Sequence, residues 1–188
     1  NVIHNVAADP LEGGYGGWGI YLDEGSSYIL VKNNLVFDCG NQSFHQHYGE
    51  NNIVTNNIFA LSKTSQIIVT KNEGRTEMYL TGNIIVSDKQ GMYSRVEKGK
   101  FVDNRNLYWD YTMLSNVISF EHDSWDFEEM YGKDAMELKG YMNNAVYMDP
   151  LFKDVENFDF TLPVDSEACE AIGFKPFDYS IAGTTVNI

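Results

Sequence analysis

The chain has 188 residues, 43% hydrophobic and 14% aromatic, with 13 basic against 27 acidic side chains and a formal net charge of -14. This length supports one sizeable core and no linker between two domains. The charge repels phosphate backbones and anionic lipid surfaces, so neither nucleic acid nor a membrane is an expected partner, and no apolar run is long enough for a transmembrane span.

The opening NVIHNV has no Met, basic region or apolar signal core, and reads as a start inside a longer protein. It is also the first of five segments that align on one asparagine: Asn1-Val-Ile-His, Asn34-Leu-Val-Phe, Asn57-Ile-Phe-Ala, Asn83-Ile-Ile-Val and Asn106-Leu-Tyr-Trp, at intervals of 33, 23, 26 and 23. The longest interval holds the Gly-rich stretch EGGYGGWG at 12 to 19, which reads as a loop inserted into an otherwise regular coil. Each asparagine is followed by an aliphatic residue (Val2, Leu35, Ile58, Ile84, Leu107), as a strand stacking on its own copies needs. Each later one is preceded by Asn33, Asn56, Gly82 or Arg105; asparagine and glycine accept left-handed backbone angles at low cost, and Arg105 is the exception. Stacked asparagines can ladder their amides along an interior axis. Neither a leucine-rich consensus nor helix signals occur between 20 and 109, and scattered Asn-rich turns in a β-sandwich explain the period less well. The expected fold is all-β, a right-handed parallel β-helix of the pectate-lyase-like kind, with Leu35, Ile58, Ile84 and Leu107 in one interior column. A solenoid beginning at Asn1 exposes the backbone edge of its first coil, so self-association through residues 1 to 31 is expected.

After Trp109 the period fails. Residues 110 to 145 read as an insertion with short helices, because Asp126-Phe-Glu-Glu129 and Asp134-Ala-Met-Glu137 resemble capping boxes and Gly140 can stop the second. Residues 146 to 188, with MDPLFKD and NFDFTLP, read as the last coil and a cap over it. All of 1 to 188 is expected to form one domain, read as the C-terminal coils of a larger β-helix. Cys39 and Cys169 lie several coils apart, beyond disulfide reach, and are expected as free thiols.

The coil period serves as a ruler for the polar segments GWGIYLDEG and FHQHYG. Asp23 stands 11 residues before Asn34 and His47 stands 10 before Asn57, so one gap aligns Asp23 with His47 and Tyr21 with His45. Residues two apart share a strand face, which gathers a carboxylate, two imidazoles and a phenol on one flank, with Tyr15 and Trp18 of the inserted loop as a sugar-stacking rim. Glu24, next to Asp23, should point to the opposite face of an extended strand. The ordinary reading treats Asp-Glu-Gly as a turn, the histidines as solvated and the aromatics as cover for apolar surface. Against it stands the convergence of acid, imidazoles and insertion on one side.

GGWGIYLDEGSSYILVKNNLVFDCGNQSFHQHYGENNIVTNNIFA resembles the central signature of right-handed parallel β-helix carbohydrate-active enzymes, most of all glycoside hydrolase family 141, which includes α-L-fucosidases and xylanases. The ending DPLF, followed by GFKPFD, is similar to the last coil and cap of those proteins. The resemblance implies hydrolysis by two aspartates, one of them Asp23 in the DEG block, the other on a D-x-G-G-I-Y type coil upstream of Asn1. It further implies a carbohydrate ligand, no metal or cofactor, and a secreted or periplasmic location; together with the coil alignment, the residues expected to touch that ligand are Tyr15, Trp18, Tyr21, Glu24, His45, His47, Tyr48 and Lys71, although after residue 66 the sequence departs from the family's arginine- and glutamate-rich stretch. Hydrolysis needs one carboxyl to protonate the leaving oxygen and another to attack or to activate water. With the second carboxylate expected outside the sequence, these 188 residues alone are expected to be inactive. Two other classes fit the scaffold: a polysaccharide lyase, disfavoured by the charge and by only three arginines (Arg75, Arg95, Arg105), and a non-catalytic carbohydrate-binding or structural β-helix.

Overall fold

The computed structural model describes residues 1–11, 13–71, 73–95, 100–112, 137 and 140–182. The short helices expected between 124 and 140 fall outside these residues, apart from 137 and 140. The rest is a parallel β-solenoid of about four turns. One sheet carries six strands in the order β1 (Val2–His4), β6 (Leu35–Phe37), β9 (Ile58–Ala60), β12 (Ile84–Ser87), β15 (Leu107–Asp110) and β16 (Val146–Tyr147). A second stacks β4 (Ile20–Leu22), β7 (Phe44–His47), β10 (Ser65–Thr70) and β13 (Gly91–Ser94); a third stacks β5 (Leu30–Lys32), β8 (Asn52–Thr55), β11 (Met78–Thr81) and β14 (Val102–Asn104). Every pairing within these sheets is parallel, so the chain visits the three in rotation. β2 (Ala8–Asp9) and β3 (Tyr15–Gly16) pair antiparallel as a hairpin in the Gly-rich insertion. No helix among the described residues is long and apolar enough to cross a membrane.

The aligned asparagines form a continuous ladder. The Nδ2 group of Asn1 donates to Oδ1 of Asn34 (2.7 Å), Asn34 to Asn57 (2.9 Å), Asn57 to Asn83 (3.0 Å) and Asn83 to Asn106 (2.9 Å). Each receiving oxygen from Asn57 onward also accepts the backbone N–H of the preceding rung, so one carbonyl satisfies two buried donors. The ladder ends on Asp103, whose Oδ1 accepts from Asn106 at 2.7 Å. All four residues before the later rungs take left-handed angles: Asn33 (φ 57°), Asn56 (φ 55°), Gly82 (φ 64°) and also Arg105 (φ 53°). Arg105 is therefore no exception. The turn is imposed by the ladder and by the bond from its N–H to the Asn143 carbonyl (2.8 Å), which together outweigh the preference of a long side chain.

The aliphatic column stacks as expected, Val2 beside Leu35, Ile58, Ile84, Leu107 and Val146, but it faces outward. Side chains alternate along a strand; with the asparagine pointing inward, its neighbour must point out and the next residue in. The interior column is accordingly Val36, Phe59, Ile85 and Tyr108, all at 0 or 1% exposure. It packs on Val31, Val54 and Leu80 of the third sheet and Phe44, Ile67 and Tyr93 of the second. In the last full coil the lining turns polar. Asp103 follows Leu80 in register, and its carboxylate accepts from the hydroxyls of Tyr93 (2.9 Å) and Tyr108 (2.7 Å) as well as from Asn106. Burial raises the carboxyl of Asp103, and these donors pull the other way.

The outward column is covered by the C-terminal tail. A 3-10 turn (Val155–Asn157) and one helix, α1 (Glu167–Ile172), capped by the Ser166 side chain and Gly173, carry Phe160, Ala168, Cys169, Ile172 and Phe174 onto Leu35, Ile58, Ile84 and Leu107. The tail thus closes a side of the solenoid, running back from the last coil until Phe158 and Phe160 meet Phe37 and the Lys175 carbonyl accepts from Asn56 Nδ2. Both cysteines are free and buried, Cys39 in the interior and Cys169 on the buried face of α1.

Two substitutions test this packing. Asn57→Ala removes an amide whose two N–H groups reach the Val31, Thr55 and Asn83 oxygens, and the oxygen that accepts from the Asn34 backbone and side chain, and is expected to cost on the order of 3 kcal/mol or more in urea unfolding. Ile84→Ala should cost about 2–5 kcal/mol because the tail seals its column, whereas a solvent-facing isoleucine would lose less than about 0.5 kcal/mol.

Candidate functional site

Strand register gathers the expected residues on the outer face of the second sheet. Tyr21 pairs with His45, His45 with Ile68, and His47 with Thr70. Phe44 and Gln46 between them point inward and are fully buried, so both histidines face out with Tyr21 and Thr70. The Gly-rich insertion folds back over this face. Gly17 (φ 76°) lies so close to the neighbouring backbone that an added Cβ would sit 2.8 Å from the Ala8 nitrogen, and one on Gly19 would meet Ser43 O at 2.7 Å. Only glycine permits that approach. Asn41 holds the hairpin by donating its side-chain amide to the Gly14 (3.0 Å) and Gly16 carbonyls, and Trp18 Nε1 donates to Gln42 Oε1 (2.9 Å).

The result is an aromatic wall. Tyr21 and His45 stack at 4.4 Å with their planes 13° apart, and Trp18 leans on both at 4.7 and 4.6 Å. Tyr15 meets Trp18 edge-on at 5.0 Å and stays 63% exposed, the free end of the wall. Trp18 is partly committed to its protein neighbours; Tyr15 presents most of its ring to solvent.

At the foot of the wall lie the acids. The Tyr21 hydroxyl donates to Asp23 Oδ1 (2.6 Å), which also accepts the Glu24 N–H (2.9 Å). Glu24 does not point to the opposite face. Its φ of 45° takes it out of the extended conformation that alternation assumes and turns its carboxylate to the same side, where Oε2 accepts from the Tyr48 hydroxyl (3.0 Å). Lys71 holds its ammonium 3.7 Å above the Tyr48 ring and pairs with Glu73 at 3.5 Å. Asp23, Glu24 and His47 each offer one donor atom within 4.8 Å of the others. Ligands of one ion at about 2.1 Å stand at most about 4.2 Å apart, so these groups would have to draw together to share a metal.

Thr70 joins the two histidines. Its Oγ1 lies 2.7 Å from His45 Nε2 and 2.7 Å from His47 Nδ1. His45 is 4% exposed, and its Nδ1 has no partner. Burial, aided by the neighbouring His47, pushes the His45 imidazole down to about 4, so it is neutral near pH 7. The Tyr21 phenol is raised by burial and by its bond to Asp23, and the Tyr48 phenol by its bond to Glu24. Two phenols that keep their protons can thus act as fixed donors to the two carboxylates. The flank has what a polyhydroxylated ring would use: stacking surface, phenol oxygens that can accept, and paired carboxylates with one oxygen each left open.

Thr70 and Gln42 were not singled out from the sequence. Thr70 stands 23 residues after His47, one further coil, and the same ruler extended once more finds it. Gln42 carried no such signal, since its role depends on where the insertion folds. No family model, no curated protein and no solved structure matches this chain.

The neutral His45 has a measurable consequence. Its folded value lies below the ordinary 6.5, so the stability it contributes is complete above about pH 6.5 and is lost as pH falls toward about 4. Urea unfolding should show a loss of up to about 3 kcal/mol across that window which His45→Phe, keeping a ring in the stack, removes.

Proposed function

We propose that this flank is the active site of a glycoside hydrolase acting on an oligo- or polysaccharide outside the cytoplasm. The observation that carries the reading is the left-handed turn at Glu24, which sets two carboxylates side by side below an aromatic wall, their donor atoms within 4.8 Å. Paired carboxyls about 5–5.5 Å apart serve double-displacement hydrolysis, one attacking the anomeric carbon while the other protonates the leaving oxygen and later activates water. In this reading Asp23 and Glu24 are that pair. Tyr21 and Tyr48 each hold one carboxylate oxygen and leave the other to the sugar; Tyr15 and Trp18 offer ring faces to a pyranose; His47 and Lys71 extend the polar lining. The resemblance to glycoside hydrolase family 141 supports the substrate class, with α-L-fucosides and xylans as the first substrates to try.

A lyase would need a cation to neutralise a uronate. Arg75 is paired with Glu50 at 3.5 Å and Arg105 donates to the Ala171 carbonyl, which leaves Arg95, near His45, and Lys71, paired with Glu73 at 3.5 Å, as the cations closest to this flank. Elimination leaves an unsaturated, ultraviolet-absorbing sugar and hydrolysis does not, so product analysis separates the two.

The test is turnover of a glycoside and polysaccharide panel by the protein and by its Asp23→Asn and Glu24→Gln variants, with folding checked by circular dichroism. Each substitution is expected to lower kcat by about 10²–10⁴-fold. Loss with Asp23→Asn alone would assign the second carboxylate elsewhere, as on a preceding coil. Carbohydrate binding without turnover of any substrate would support a binding module, and full activity of Asp23→Asn would end the hydrolase assignment to this flank.

A further inference from the structure

The Thr70 hydroxyl sits between two imidazole nitrogens at 2.7 Å each, yet it owns a single proton. It can donate to one ring only and must accept from the other, so the two tautomers are coupled. In one arrangement His45 donates Nε2–H to Thr70 and Thr70 donates to His47 Nδ1, which leaves His47 protonated at Nε2. In the other, His47 donates Nδ1–H, Thr70 donates to His45 Nε2, and both rings are protonated at Nδ1.

Two observations choose between them. His45 Nδ1 is buried without a partner. The second arrangement strands an N–H donor there and the first only a lone pair, and buried orphan donors are the rarer of the two. His47 has a ring nitrogen within 4.8 Å of carboxylate oxygens of both Asp23 and Glu24, and Nε2 is the nitrogen of that ring not already engaged by Thr70. An N–H is attracted there, whereas a bare lone pair is repelled.

We propose that Thr70 is the positioning residue of this flank: its one hydroxyl proton locks His45 and His47 as Nε2–H tautomers, so that His47 presents an N–H donor to the carboxylates and to an oxygen of the bound ligand. His47 is thereby a fixed donor and not a general base. The titratable and charged groups around His45 are His47, Asp23 and Arg95, and its neutral ring makes the network an orienting device with no proton sink at its inner end. The ligand in this assignment rests on the carbohydrate reading above; the tautomer lock does not.

The test is long-range proton–nitrogen NMR on ¹⁵N-histidine-labelled, ligand-free protein above about pH 8, where ordinary imidazoles are neutral. Both rings are expected to show the Nε2–H pattern in the wild type and in Thr70→Ser, which keeps the hydroxyl. In Thr70→Val, isosteric and suited to a strand, His47 should shift to a mixture of tautomers. An Nδ1–H signal for either ring in the wild type, or an unchanged His47 pattern in a folded Thr70→Val, overturns the assignment. Should the valine variant not fold, Thr70→Ala replaces it, and the wild-type spectrum decides alone between the two arrangements. Because no substrate is present, an Nε2–H pattern in a protein without turnover would sustain the lock while ending the hydrolase reading.

Discussion

The asparagine ladder is the constraint from which the rest of the solenoid follows. A buried amide is costly unless all its groups are paired, and here each rung is paired only if the neighbouring coil has an asparagine at the same height. That fixes where each coil begins, forces the left-handed turn before it and sets the register of the six-stranded sheet. The amides all point one way, Nδ2 toward the next rung, so their dipoles add along the axis and present their positive end to the Asp103 carboxylate. A carboxylate in place of another leucine is then an understandable ending. It takes the last amide proton and two tyrosine hydroxyls, one each from the second and the six-stranded sheet.

This logic also explains what could be read from sequence and what could not. The period, the ladder, the parallel stacking and the alignment of Tyr21 with His45 all depend on one coil repeating another, and repetition is visible in a string of letters. The direction of the aliphatic column was equally available, because inward asparagines and alternation together require Leu35 to face out; expecting both to face in set two readings of the same strand against each other. Glu24 is a different case. Its place depends on a single backbone angle in a turn, and Asp-Glu-Gly does not say which residue will carry it. The tail over the outward column was hidden too, since Phe160 and Ile172 lie far from the strands they cover and no periodicity links them.

On the candidate site, the scaffold and the loop contribute differently. The stacked strands hold His45, His47 and Thr70 at positions fixed by hydrogen bonds on both sides of β7, whereas the insertion supplies Tyr15 and Trp18 from a hairpin anchored through Asn41 and Gln42. The loop's Trp18 thus leans on rings, Tyr21 and His45, that the strands hold in place. Of the two phenol–carboxylate pairs, Tyr21 with Asp23 lies within one coil, while Tyr48 with Glu24 spans adjacent coils and ties the open turn to the rigid sheet.

The path of the tail bears on how the molecule folds. In a solenoid each coil touches only its neighbours, so coils can add or fray one at a time and stability accumulates nearly linearly. The tail breaks that locality. It leaves the last coil and returns to Asn56 and Phe37, closing contacts between residues 119 positions apart at Asn56 and Lys175. Such contacts form late, after the coils they bridge, because their loop-closure entropy must be met before their burial is gained. Once formed, they act as a strap along the axis: fraying an end coil also means lifting Phe160, Ile172 and Phe174 from the column they seal. A chain built of separable units is thereby made to unfold as one.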